Sequence, residues 1–135
     1  MTIDINKLRR LAQAATLGPW YVTGKLTRYV EARIDGGLIQ EVAACGPTKA
    51  DGGYGPQQEA NARLIAAAPD LLEACKTFAE WLGREERGFA SAGNKRDTPE
   101  GERAWRDWYN ENLRLCALAQ EQARAAIARA TGDQP

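Results

Sequence analysis

Apolar residues recur at three- and four-residue spacing through the middle of the chain: Ala60, Leu64, Ala67 and Ala68, then Leu71, Leu72, Cys75, Phe78 and Ala79. That is the helical period, and residues 57–75 are dense in strong helix formers. Pro69 interrupts the run. It has no backbone donor and its ring clashes with the preceding turn, which predicts two short central helices broken at Pro69. Asp70 suits the first turn of the second, and Leu82-Gly83 marks its end.

The same reading orders the rest of the chain. Ile3–Ala15 is a predicted amphipathic helix capped by Asp4, with Ile5, Leu8, Leu11, Ala12 and Ala15 inward and Gly18-Pro19 as its stop. Trp20–Thr23, Arg28–Ile34 and Leu38–Ala44 read as strands, with Val30, Ala32 and Ile34 alternating against Tyr29, Glu31 and Arg33. Asp35-Gly36-Gly37 is a tight-turn signal. Gly46–Pro56 holds too much glycine and proline for a regular element and reads as a loop. Arg84–Asp97 reads as an exposed connection. Thr98-Pro99-Glu100 opens a last helix, to about Arg129 and ~45 Å long. Trp105, Trp108, Tyr109, Leu113, Cys116, Ala119, Ala123, Ala126 and Ile127 lie near one stripe of it, and Gly132 closes it. The expected fold is α+β: an N-terminal helix, a small antiparallel sheet of about three strands, two short helices and one long C-terminal helix. It forms one domain over residues 1–131, with a disordered tail at 132–135.

Composition narrows the chemistry. Lysine plus arginine equals aspartate plus glutamate, at 18 each, which argues against a DNA coat role. No apolar run is long enough for a bilayer, and no export signal precedes the first helix, so a cytoplasmic, membrane-independent protein is expected. Cys45, Cys75 and Cys116 form no CxxC pair; Cys75 and Cys116 read as small core residues. The 135 residues include no histidine. That removes the usual acid/base, the usual activator of a nucleophile and the commonest zinc ligand. No cofactor, metal site or catalytic residue is expected.

Candidate binding residues remain. The glycine-rich loop matches no phosphate-binding fingerprint and is most simply surface, but Tyr54 within it offers a ring for stacking on a base. Arg63, just after Asn61, has the fork that grips a phosphate or carboxylate, although such arginines are commonly only solvated or ion-paired. Trp105, Trp108 and Tyr109, with Arg106 at their flank, form an aromatic cluster suited to packing, self-association or ligand stacking. Along the last helix, Glu102–Arg106 is an attractive spacing and Asp107–Glu111 a repulsive one.

Two segments, Leu11-Ala-Gln-Ala-Ala-Thr-Leu-Gly-Pro-Trp20 and Glu59-Ala-Asn-Ala-Arg-Leu-Ile-Ala-Ala-Ala-Pro-Asp-Leu-Leu-Glu-Ala74, resemble small phage and prophage proteins of the Ead-like early-region type. Leu17 stands where that pattern usually has proline. The resemblance covers about the first eighty residues and omits the last helix. It implies an accessory phage protein, a class in which counter-defence proteins are common, and supplies no catalytic residues.

The resulting expectation is a non-enzymatic binding protein that sequesters a nucleotide immune signal, such as a cyclic oligonucleotide or an ADP-ribose derivative. Its ligand would be held by Tyr54, Asn61 and Arg63 with Trp105, Arg106 or Tyr109. The alternative is an anti-CRISPR-like inhibitor of a bacterial defence protein; a metal-dependent nucleotide hydrolase ranks last. Self-association through the long C-terminal helix is expected in either case.

Overall fold

A computed structural model describes residues 4–24, 27–47, 55–92 and 95–133. Helix α1 (Ile5–Ala14) begins where the Asp4 carboxylate accepts the Lys7 amide at 2.9 Å. Strands β1 (Trp20–Thr23), β2 (Thr27–Arg33) and β3 (Ile39–Pro47) follow in an antiparallel sheet of order β1-β2-β3. Helices α2 (Gly55–Ala66), α3 (Ala68–Arg87) and α4 (Pro99–Thr131) complete the α+β fold.

Trp20 pairs with Ala32 and Val22 with Val30, which fixes β1 on β2. Gly36 and Gly37, both at φ 77°, turn β2 into β3 as the Asp-Gly-Gly signal requires. Two register shifts each leave one extra residue on β3, Val42 and Cys45. The second shift lets β3 run on through Gly46 (φ 91°) and Pro47, opposite Arg28 and Thr27, where the sequence suggested a loop. Gly55 and Pro56 likewise belong to α2, and the rest of that loop, residues 48–54 with Tyr54, lies outside the described residues.

The inner face of the sheet meets α2. Val30 packs with Ala62 and Ala66, ringed by Trp20, Val22, Val42, Cys45 and Ile65. Alanines bring the helix backbone close to the strands, but they bury little. Among the described residues, seven of the nine buried apolar residues are alanine, and Val30 is the one large side chain wholly out of solvent. The core is thin.

The central break falls at Ala67, two residues before Pro69. Pro69 sits in the first turn of α3, where a missing N–H orphans nothing. Nor is α3 short. It passes through Gly83 and continues to Arg87, where Gly88 (φ 68°) stops it. A helix tolerates an interior glycine for about 1 kcal/mol, whereas a positive φ ends it. So Arg84–Arg87 is helix rather than connection, followed by a 3-10 turn at Phe89–Ala92. The N-terminal helix packs mainly on α3. Leu8 and Ala12 are half-buried, but Leu11 and Ala15 face solvent instead of the core.

Helices α3 and α4 form the principal contact, antiparallel. Thr98 caps α4 by accepting the Gly101 amide at 3.0 Å, and left-handed Gly132 closes it. Asn112, Leu115, Ala119 and Ala126 of α4 are buried. Arg84 Nε donates to Asn112 Oδ1 at 2.6 Å, Arg84 Nη2 to the Trp108 carbonyl at 3.3 Å, and Asn112 Nδ2 to Glu85 Oε1 at 2.6 Å. At the other end Arg129 donates to Asp70 Oδ2 at 3.0 Å and to the Trp20 carbonyl, tying the helices to β1. The apolar stripe of α4 is wider than one neighbour can cover: Tyr109, Leu113 and Ile127 remain exposed beside the buried row. Cys75 is exposed and Cys116 half-buried, so neither is a core residue. Among the described residues no helix is long and apolar enough to cross a membrane.

Asn112→Ala leaves Arg84 and Glu85 without their shared partner, and a loss of about 1–3 kcal/mol is expected in urea unfolding. Leu11→Ala, at an exposed position, should stay within about 0.5 kcal/mol.

Candidate ligand site

The sequence-predicted residues fall into two separate places. The first is the corner where α2 meets the end of α4. Arg63 Nε donates to Glu59 Oε1 at 3.0 Å and Nη1 to the Thr131 carbonyl at 3.2 Å. The same Glu59 lies 2.6 Å from Arg28 Nε, an ion pair whose N–H is not aligned for a hydrogen bond. The Arg63 fork is thus engaged by the fold's own oxygens, and a phosphate would have to compete for it. Asn61 is exposed on α2. It stands two residues from Arg63, about 200° around the helix, with buried Ala62 between them. The two side chains flank the core contact on opposite sides and do not converge.

The second place is the start of α4. Trp105 and Tyr109 stack one turn apart, their rings 5.1 Å apart and 15° from parallel. The Arg96 guanidinium lies 3.6 Å over Trp105, completing a cation-aromatic-aromatic ladder. Glu102 holds that guanidinium in a fork, through Nε at 2.9 Å and Nη2 at 3.1 Å. Gly101 permits the arrangement: a Cβ there would fall 1.6 Å from the Lys95 carbonyl oxygen, so only glycine lets residues 95–98 lie across the first turn of α4. Arg103 and Arg106 are exposed nearby. Glu102 bonds Arg96 instead of the Arg106 that helical spacing suggested, and Glu111 is forked by Arg114, at 2.9 and 2.7 Å. Arg96 was not singled out from the sequence; only its place before a capped helix start hinted at it.

Along the unbroken α4, Trp105 and Thr131 are 26 residues apart, or ~39 Å at helical rise. The ladder and the Arg63 corner therefore cannot share one ligand within a single chain.

A groove of about 570 Å³ also opens between α1, α3 and α4. Leu8, Leu71, Phe78, Trp81, Cys116 and Ala123 line it, and its walls are almost wholly apolar. Nothing in the sequence reading anticipated it, since Cys75 and Cys116 were assigned to the core. Among the described residues no three carboxylates or thiols group closely enough to hold a metal ion.

The hydrogen bond from Arg96 is the main influence holding the Glu102 carboxyl below its usual range, and the same bond raises the Arg96 guanidinium. A depressed carboxyl keeps its pairing above the ordinary carboxylate pKa and loses it as pH falls through the depressed value. Tryptophan emission should therefore stay flat from neutral pH to about 5 and change below it as Arg96 lifts from Trp105. Glu102→Gln should remove that acid transition and Gly101→Ala should abolish the stacked state at every pH.

No curated protein sequence and no solved structure matches the chain. A protein-family model described as Salmonella phage P22 protein Y8K6 matches residues 1–134, and so includes α4 as well as the sheet and the central helices. The chain belongs to the family of Salmonella phage P22 protein Y8K6.

Proposed function

We propose that this phage protein acts as an accessory factor in the cytoplasm of the infected cell, holding a ligand rather than transforming it. The ligand class is a nucleotide immune signal, a cyclic oligonucleotide or an ADP-ribose derivative, sequestered away from a host defence pathway. The placement beside Ead-like accessory proteins is part of the same reading. The observation that carries it is the Arg96–Trp105–Tyr109 ladder. Any nucleobase has a π-face that stacks on an aromatic ring, for about 1–3 kcal/mol per base. A base entering over Trp105 takes the place of Arg96, and a phosphate competes with Glu102 for the Arg96 fork; exposed Arg103 and Arg106 add positive charge on the same end of α4. The absence of histidine from the sequence fits a protein without acid/base chemistry.

The second reading is inhibition of a bacterial defence protein by contact, favoured by the apolar groove along α3 and α4.

Calorimetry with cyclic di- and trinucleotides and ADP-ribose derivatives decides between them. One of these classes should give saturable heat, and Trp105→Ala should weaken it roughly 5- to 150-fold, the factor that base stacking supplies. Chromatography of the recovered ligand should show it unchanged. Absence of heat with every class defeats the sequestration reading, and multiple turnovers per chain defeat the non-enzymatic one. Recovery of a stoichiometric host protein from lysate supports the inhibitor reading.

A further inference from the structure

Helix α4 carries two heptad rows, offset by one residue. The inner row, Trp108, Asn112, Leu115, Ala119, Gln122 and Ala126, includes the four buried residues of the helix and faces α3. The outer row is Tyr109, Leu113, Cys116, Gln120, Ala123 and Ile127. Its spacing is 4-3-4-3-4, the a/d repeat of a helix that meets a second helix along its length. Its large side chains stay open among the described residues, Tyr109 at 44% exposure, Leu113 at 52% and Ile127 at 57%, while Cys116, Gln120 and Ala123 line the groove whose far wall includes Leu8 of α1. A parallel row on α3, Leu71, Cys75 and Phe78, is exposed beside it and shares the apolar groove.

We propose that this face docks a second copy of the chain, with the two α4 helices antiparallel about a twofold axis near residue 118. The hairpins of α3 and α4 then form a four-helix bundle. The surface area of the chain is compatible with such an interface. The chain exposes 9520 Å² at 14.8 kDa, whereas a monomer of that mass exposes roughly 7,000 Å². The excess leaves room for an interface that takes about 800 Å² from each partner.

Direction follows from the layers and from the heads. In an antiparallel pair, positions summing to 236 oppose one another, and every residue of the outer row finds an outer-row residue: Tyr109 meets Ile127 of the partner subunit, Leu113 the partner's Ala123, and Cys116 the partner's Gln120. Large side chains face smaller ones throughout. A parallel, in-register pair would oppose alanine to alanine at 123 and glutamine to glutamine at 120. The sheet and α2 adjoin the C-terminal end of α4, through Arg63–Thr131 and Arg129–Trp20. Antiparallel pairing sends the two heads to opposite ends of the bundle, and Gln120 in the seam penalises slipped registers.

A consequence that rests on the sequestration reading is that the partner copy completes the site. Position 105 opposes the partner's Thr131, the residue whose carbonyl holds Arg63. The ladder of one protomer thereby lies at the level of the α2–α4 corner of the other, where a phosphate would have to displace Glu59 or the Thr131 carbonyl to reach Arg63, and the dimer has two such sites.

Sedimentation equilibrium without nucleotide should give twice 14.8 kDa at micromolar protein. With Cys45, Cys75 and Cys116 replaced by serine, Leu113→Cys plus Ala123→Cys should form an interchain disulfide on oxidation, and neither single variant should. Leu113→Arg with Ile127→Arg should give a monomer of unchanged circular dichroism, and Gln120→Leu should lower the dimer dissociation constant at least tenfold. A strict monomer overturns the proposal, as does capture of a host protein by that monomer on this face. Crosslinking of Leu113→Cys alone shows parallel pairing and overturns the antiparallel dimer. These assays use no ligand, so dimerisation without nucleotide binding defeats only the sequestration reading, and nucleotide binding by a monomer defeats only the dimer.

Discussion

The pairing of α3 with α4 holds this molecule together. The sheet is three strands wide and its contact with α2 is built on Val30, Ala62 and Ala66, too little apolar volume to support the whole chain. The helical hairpin supplies the remainder. Its buried row is pinned at one end by Arg84, Asn112 and Glu85 and at the other by Arg129, Asp70 and Trp20. A buried asparagine is costly unless every polar neighbour finds it. With Arg84 and Glu85 on consecutive residues of α3, only one register satisfies all three side chains. That register fixes how far α4 projects past α3, and so where the ladder stands.

The proposed binding site follows from that projection. Trp105 and Tyr109 lie beyond the Asn112 pin, at the end of α4 away from the sheet, where α3 has stopped and the chain returns over Gly101 to lay Arg96 on Trp105. The arginines near the sheet are structural. Arg28 and Arg63 share Glu59, and Arg129 joins three elements. An arginine among alanines is equally suited to a phosphate or to a neighbouring carbonyl, and the fold provides the carbonyl.

Local chemistry made much of the architecture legible in advance. The Asp4 and Thr98 caps, the Asp35-Gly36-Gly37 turn and the Gly132 stop each depend on a few adjacent residues, and Val30 and Ala32 are buried to either side of half-buried Glu31 as alternation requires, whereas Ile34, read with them, lies past the end of β2 and is exposed. Properties set by distant neighbours were not legible. Helix α3 outruns Gly83 because Arg84 and Glu85 must reach Asn112, 27 or 28 residues later. The break precedes Pro69 because proline also fits a first turn. The single apolar stripe read along α4 is two rows, one covered and one open, and no local pattern says how much of a helix its neighbour covers. Likewise Asn61 and Arg63 are close in sequence but diverge around α2, and Arg96 reaches Trp105 only by a chain reversal.

If α4 is the spine, its amides from 108 to 129 should open only with global unfolding. Hydrogen exchange on the intact protein measures this directly. The account predicts uniform protection across residues 108–129, matched by 70–85 of α3 and well above that of α1, which packs mainly on α3. Protection in α4 no greater than in α1, or a step in protection at Asn112, would contradict it.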